Sequence, residues 1–195
     1  MRERVPWWGL VSSAAAPVLL IGGWTVAAEL QPAAFDPLSD TISSLAAYGA
    51  ADRWVMTAAL AGVGLCHVTT ALALRPFPRS GRLLLGVGGV ATLLVAAFPL
   101  PDGDGGSVPH TVVAGIALVA LSAWPAFAWR RGARNPAPLR PVVALGAAAV
   151  LLGLLGWFGA ELAVDDGRVG LAERVTAGAQ ALWPLAAVLA SRRRD

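Results

Sequence analysis

The chain has 195 residues, of which 56% are hydrophobic and 14% are charged. Soluble domains carry about 25% charged residues, so a soluble protein of this composition would lack the polar side chains needed to cover its surface. The net charge of +3 does not indicate a nucleic-acid partner, because the arginines form short clusters between apolar stretches. The composition therefore predicts an integral membrane protein.

Six stretches of the chain are long and apolar enough for membrane-spanning helices, which need about 20 mainly apolar residues. They lie at about 8–30, 54–74, 83–100, 111–129, 142–162 and 171–190. The first stretch is longer than the apolar core of a signal peptide and has no clean cleavage site after it, so we interpret it as an anchor. The sequence predicts an all-α membrane protein, a six-helix bundle in which residues 1–195 form one membrane domain.

The segment FDPLSDTISSLAAYG, between the first two spans, is more polar than either span. Its Asp-Pro pair is typical of a helix N-cap followed by proline in the first turn. Leu38, Ile42 and Leu45 then recur at the spacing of one helical face. The pattern predicts a short amphipathic helix over Leu38–Tyr48. This helix would either lie flat at the membrane surface or form a lid whose hydroxyl groups and Asp40 line a cavity mouth.

The distribution of charge predicts the orientation of the bundle. The N-terminus, the C-terminus and the connections 75–82 and 130–140 hold twelve of the fifteen arginines. Ten of the twelve acidic residues lie in or beside the other connections. Because basic residues favour the cytoplasmic side, both termini should be cytoplasmic and the short helix should face outward.

Glycines recur in the fifth span at Gly153, Gly156 and Gly159. Small residues let helix backbones approach closely, which favours helix packing within the bundle. The same glycines would also suit a seam between two chains of a homo-oligomer, and that alternative stays open.

Carboxyl groups at the outer ends of two spans are candidates for acid–base chemistry. Glu29 ends the first span and Glu161 ends the fifth, each beside apolar residues. Partial removal from water favours the neutral, proton-donating form of a carboxyl group. Asp40 of the short helix and His110 at the start of the fourth span lie at the same depth. These four residues form the predicted catalytic set, because helix ends at one depth are near neighbours in a bundle.

Four more polar residues at this end are candidates for binding a ligand: Ser43, Asp102, Glu173 and Arg174. The Glu-Arg pair is also consistent with a structural ion pair, whereas the guanidinium group of Arg174 alone would suit an anionic head group.

The two histidines do not predict a metal or haem site. His67 lies 14 residues beyond Arg53, about 21 Å along a helix from the outer boundary where His110 lies. Two axial haem ligands would need similar depth, and no spacing typical of zinc ligands is present. We therefore predict no cofactor and interpret His67 as a neutral histidine hydrogen-bonded inside the bundle.

Three parts of the chain together resemble a known family. They are FDPLSDTISSLAAYGAADRWVM, the FPLP stretch with His110 shortly after it, and GLAERV before the last span. The chain resembles an actinobacterial membrane-protein family catalogued as domain of unknown function 998, a relative of the DRAM/Frag/Sfk-like membrane proteins. The resemblance implies six helices, an outward short helix and a bacterial cytoplasmic membrane. It implies no activity.

Two functions remain as alternatives. The first is binding of a lipid or another apolar ligand through a polar pocket that opens to the extracytoplasmic side. The second is a membrane-embedded enzyme that acts on a lipid or isoprenoid by carboxylate acid–base chemistry. A transporter is less consistent with the sequence, because we find few polar residues near the middle of the spans. No nucleotide-binding loop, nucleophile elbow or zinc-protease motif appears.

Overall fold

Six long helices make up most of the computed structural model, which describes residues 4–32, 34–103, 106–132, 135–164 and 167–192. The helices are α1 (Trp7–Glu29), α2 (Trp54–Ala73), α3 (Arg79–Ala97), α4 (Val108–Ala123), α5 (Pro141–Val164) and α6 (Val169–Arg192). A 3₁₀ turn, Trp124–Phe127, extends α4. The all-helical fold is thus confirmed for the described residues.

Five of these helices, α1 to α5, are long and apolar enough to cross a membrane when α4 is counted with its 3₁₀ turn. The sixth predicted span corresponds to α6, which has 24 residues but is less apolar. The helices begin and end within four residues of the bounds of the predicted spans, with one exception. The regular part of α4 ends six residues early, because the helix changes to a 3₁₀ turn at Trp124-Pro125.

Each helix packs against its neighbour in the chain, and α6 packs against both α5 and α1. The six helices therefore form a closed ring. One end of the ring holds the start of α2, α4 and α6, and we call it the cap end. The other end carries most of the arginines, and we call it the basic end.

Two facing glycines allow the backbones of α2 and α3 to approach closely. A Cβ atom added to Gly64 would lie 2.7 Å from the carbonyl oxygen of Gly89, and one added to Gly89 would lie 2.8 Å from that of Gly64. By contrast, Gly153, Gly156 and Gly159 are exposed and have open space around the position of a Cβ atom. Their expected role in packing within the bundle is therefore wrong.

The segment between α1 and α2, residues 35–50, covers the cap end, and we call it the cap segment. It contains turns and the 3₁₀ turn Ser44–Ala46 in place of the amphipathic helix predicted over Leu38–Tyr48, so that prediction is wrong in its secondary structure. Its apolar side chains differ in how far they are buried. Ile42 is 3% exposed and packs in the core, whereas Leu38 is 52% exposed.

Candidate functional site

The cap segment is hydrogen-bonded to the carboxylate of Glu173, in the second turn of α6. One carboxylate oxygen, Oε2, accepts the backbone N–H of Ile42. The other, Oε1, accepts the hydroxyl of Ser43 at 3.2 Å. The Glu173 side chain is buried. Donors in the cap segment therefore replace the hydrogen bonds that water would make to both carboxylate oxygens. Ser43 and Glu173, both predicted from the sequence as ligand-binding residues, thus lie in direct contact.

Arg174, the next residue of α6, holds the other half of the cap segment. Its Nη1 donates to the carbonyl oxygens of Pro37 at 2.8 Å and Asp40 at 2.7 Å, and to Gly170 of its own helix at 3.0 Å. Its guanidinium carbon lies 5.9 Å from the centre of the Phe35 ring. The second terminal nitrogen, Nη2, is buried and has no hydrogen-bond partner among the described residues.

Gly170 lets the cap segment lie directly on the first turn of α6. A Cβ atom at this position would collide with the backbone of Asp40 and lie 2.8 Å from the carbonyl oxygen of Pro37. The neighbouring N–H of Leu171 donates to the carbonyl oxygen of Leu38 at 3.0 Å. One of the N–H groups left free at the start of a helix is therefore satisfied by the cap segment.

Three further contacts hold the cap segment and the adjacent Ala51 on other sides. The side chain of Gln31, just after α1, donates to the carbonyl oxygen of Ala51 at 2.9 Å and accepts its N–H at 3.0 Å. The N–H of Tyr48 donates to the carbonyl oxygen of Leu100 in the connection between α3 and α4. In the same connection, the carboxylate of Asp102 lies against Gly49, where it would collide with any Cβ atom.

A cavity of about 80 Å³ lies beneath the cap segment, inside the ring of helices. Its wall is mostly apolar and comes from the cap segment and from α1, α2, α3, α4 and α6. Ser43 and Glu173 line its cap side, and the deeper polar residues are His67, Thr92 and Gln180. Seven residues of α6, about 10 Å, separate the Glu173 and Gln180 positions. The cavity thus joins a polar group at the cap end to polar groups deeper in the bundle.

The deeper polar residues differ in their hydrogen bonding. Gln180 donates to the Leu118 carbonyl oxygen at 2.9 Å and to the Ser122 hydroxyl at 2.8 Å. His67 is 1% exposed, and its Nδ1 has no hydrogen-bond partner in the described part of the chain. His67 is therefore buried as expected, but this ring nitrogen lacks the hydrogen bond that we expected.

The predicted catalytic residues do not hydrogen-bond to one another in the described structure. Glu29 is exposed, and Asp40 Oδ2 accepts the backbone N–H of Asp36 at 2.8 Å. His110 Nδ1 lies 2.8 Å from the carbonyl oxygen of Phe98.

Glu161 differs from the other three, because its side chain is 8% exposed. Its Oε1 accepts the indole N–H of Trp157 at 2.7 Å, while its Oε2 is buried without a partner among the described residues. Glu161 and the other predicted catalytic residues are absent from the cavity wall. A catalytic role for these four residues stays a prediction.

Sequence reasoning missed two parts of the site. Gln180 lies inside an apolar span, and a polar side chain in such a position is itself a signal of packing or function. Gly170 carries no comparable signal, because its importance depends on the backbone of a segment 130 residues earlier in the chain. Within the described residues, no three His, Cys, Asp or Glu side chains are grouped so that they would hold a metal ion.

Long apolar helices that enclose their polar side chains are the architecture of a multi-pass membrane protein, because lipid cannot satisfy polar groups. A family model described as a protein of unknown function (DUF998) matches residues 13–190. The chain therefore belongs to the DUF998 family. Neither a curated protein nor a solved structure matches it.

Proposed function

We propose that this protein spans the bacterial cytoplasmic membrane six times and binds a lipid or another apolar ligand beneath the cap segment. One observation carries the proposal. Glu173 lines the cavity and, through the same carboxylate, holds the cap segment closed over it. A ligand group that bonds to Glu173 would compete with the cap segment for the same oxygens.

The surface of α6 supports its assignment as the sixth span. Its 24 residues extend over about 36 Å, more than the ~30 Å thickness of the hydrocarbon core. Its polar residues Glu173, Thr176 and Gln180 are buried within the bundle. Leucine and valine side chains on its other face are exposed, where they would meet lipid.

The charges at the two ends support an extracytoplasmic cap end. Basic residues near span ends favour the cytoplasm, and most arginines lie at the basic end. This orientation places the N-terminus and the C-terminus in the cytoplasm and opens the cavity toward the outside when the cap segment moves.

The lining of the cavity indicates the chemistry of the ligand. A carboxylate and a hydroxyl at the cap side suit a ligand with an alcohol or amine group, which can donate to Glu173. The apolar wall below suits a hydrocarbon part, and the His67 ring, which lines the cavity, offers a second polar contact. A volume of about 80 Å³ holds no more than a small group. A lipid-sized ligand therefore requires the cap segment to open.

Co-purification tests this function. The protein is isolated from bacterial membranes, and its bound apolar molecules are extracted and compared with the bulk membrane by mass spectrometry. Ala117→Leu extends a buried side chain of α4 into the cavity. The larger side chain would crowd a ligand in the cavity, and such overpacking costs about 1–3 kcal/mol. The amount of the enriched molecule should therefore decrease about tenfold.

The matched control is Gly115→Leu in the same helix, which points to open space and should retain the molecule. The absence of any enriched molecule in the wild-type protein, or equal enrichment in Ala117→Leu, would contradict the proposal.

A further inference from the structure

A second and larger concave surface lies on the outside of the ring, away from the cap segment. It is a groove of about 690 Å³ between α2 and α3 that reaches α4. Its wall is almost entirely apolar, and six of its large apolar side chains are exposed: Leu72, Leu83, Val87, Val90, Leu94 and Ile116. In a membrane protein this groove faces the hydrocarbon chains of lipids.

The groove has the length of an extended hydrocarbon chain. From Arg79 to Leu94 it follows α3 for about 22 Å at 1.5 Å per residue. This exceeds the ~15 Å that one leaflet contributes to the hydrocarbon core. One acyl chain from the leaflet at the basic end therefore fits along it.

Two arginines line the basic end of the groove. Arg82 is held in place because its Nε donates to the carbonyl oxygen of Ala71 at 2.9 Å and its Nη2 donates to that of Leu72 at 3.2 Å. Arg79 is exposed and is the first residue of α3, where the helix dipole also favours an anion. No acidic residue occurs between residues 75 and 84, so nothing local in the sequence neutralises these charges.

We propose that this groove binds an anionic phospholipid, with its phosphate at Arg79 and Arg82 and one acyl chain between α2 and α3. The charge of the site selects the head group, and the apolar wall selects a ligand that carries a chain. A phospholipid whose head group also carries a positive group should bind less tightly, because that group would lie near two guanidinium groups of the same charge. The site lies outside the ring of helices, so it does not depend on the cavity beneath the cap segment.

Native mass spectrometry of the full-length protein in detergent tests the proposal. The protein is titrated with phosphatidylglycerol and phosphatidylcholine of identical chains. We expect phosphatidylglycerol to bind about tenfold more tightly, because each basic residue near the membrane surface contributes to anionic lipid binding. In Arg79→Gln, phosphatidylglycerol binding should weaken toward that of phosphatidylcholine.

A second variant tests the apolar part of the groove. A Cβ atom at Gly86 would meet only Ala71 Cβ at 3.8 Å, so Gly86→Leu fills the groove without displacing backbone. Gly146→Leu is its control, because Gly146 lies at a similar distance from the basic end on α5 and faces open space. Gly86→Leu should weaken binding of both lipids, and Gly146→Leu should weaken neither.

Thermal unfolding of each variant separates lost binding from lost folding. Equal binding of the two lipids by the wild-type protein would overturn the proposal. Unchanged phosphatidylglycerol binding in folded Arg79→Gln and Gly86→Leu would also overturn it.

Discussion

Two consecutive charged residues, Glu173 and Arg174, position the cap segment by opposite means. The carboxylate accepts a backbone N–H and a hydroxyl, whereas the guanidinium group donates to backbone carbonyl oxygens. Hydrogen bonds that involve an ionised group are stronger than neutral ones, and burial makes a missing partner costly. The first turns of α6 thus determine where the cap segment lies.

A single methyl group at Gly170 should disturb this arrangement. In Gly170→Ala, the new Cβ atom would collide with the backbone at Asp40 and Pro37, which cannot move as a flexible side chain can. We expect the free energy of unfolding to fall by about 1–3 kcal/mol. Thermal unfolding in detergent, followed by tryptophan fluorescence, measures the change.

Gly178→Ala is the control for this variant in the same helix. Its Cβ atom would lie 3.6 Å from the Trp24 ring, an ordinary contact, so stability should remain near that of the wild type. Equal stability of the two variants would show that the close approach at Gly170 is unimportant.

At the level of whole elements, hydrophobic pattern predicted the long helices well and the cap segment poorly. In the cap segment, Ser44 N–H donates to the Thr41 hydroxyl, and the Ser44 hydroxyl donates to the Thr41 carbonyl oxygen. Such local bonds compete with helix formation. The N–H of Ile42 bonds to Glu173 instead of to its own segment. The spacing of apolar and polar residues around Ile42 cannot indicate a hydrogen-bond partner more than 100 residues away.

The candidate site was predictable only in part, for the same reason. Ser43, Glu173 and Arg174 are polar side chains at span ends and could be named from the sequence. Arg174, and one carboxylate oxygen of Glu173, bond to backbone groups, such as the carbonyl oxygen of Pro37, and these carry no sequence signal. Likewise, the polar residues of α6 lower its average hydropathy although they face the interior, so composition alone understates its apolar outer face.

The cap segment should respond differently to charge at two of its apolar positions. Ile42→Asp places a carboxylate in the core and should lower the free energy of unfolding by about 3 kcal/mol or more. Leu38→Asp changes a residue that is 52% exposed and should have an effect within about 0.5 kcal/mol. Thermal unfolding in detergent measures both variants. Similar losses in both would favour the regular amphipathic helix over the observed turns.

Across the whole molecule, the two ends of the ring differ in charge and in shape. The cap end combines acidic residues with a closed segment over an internal cavity, and the basic end combines arginines with an open groove on the outer surface. Because arginine favours the cytoplasmic side, this asymmetry supports the proposed orientation, with the basic end in the cytoplasm and the cap end outside. The two proposed ligand sites would then bind molecules from opposite leaflets.

Cysteine labelling in intact cells tests that orientation directly. The native Cys66, partly buried in α2, is first replaced by alanine to remove background. Gly106 at the cap end and Ala137 at the basic end are both exposed, so a cysteine at either position is accessible from its own side. A membrane-impermeant maleimide should modify Gly106→Cys in intact cells and Ala137→Cys only after the membrane is opened. The reverse pattern would invert the topology and place the cap segment in the cytoplasm. Labelling of both positions only after opening would contradict the proposed outward cap end, because Gly106→Cys would then be inaccessible from outside the cell.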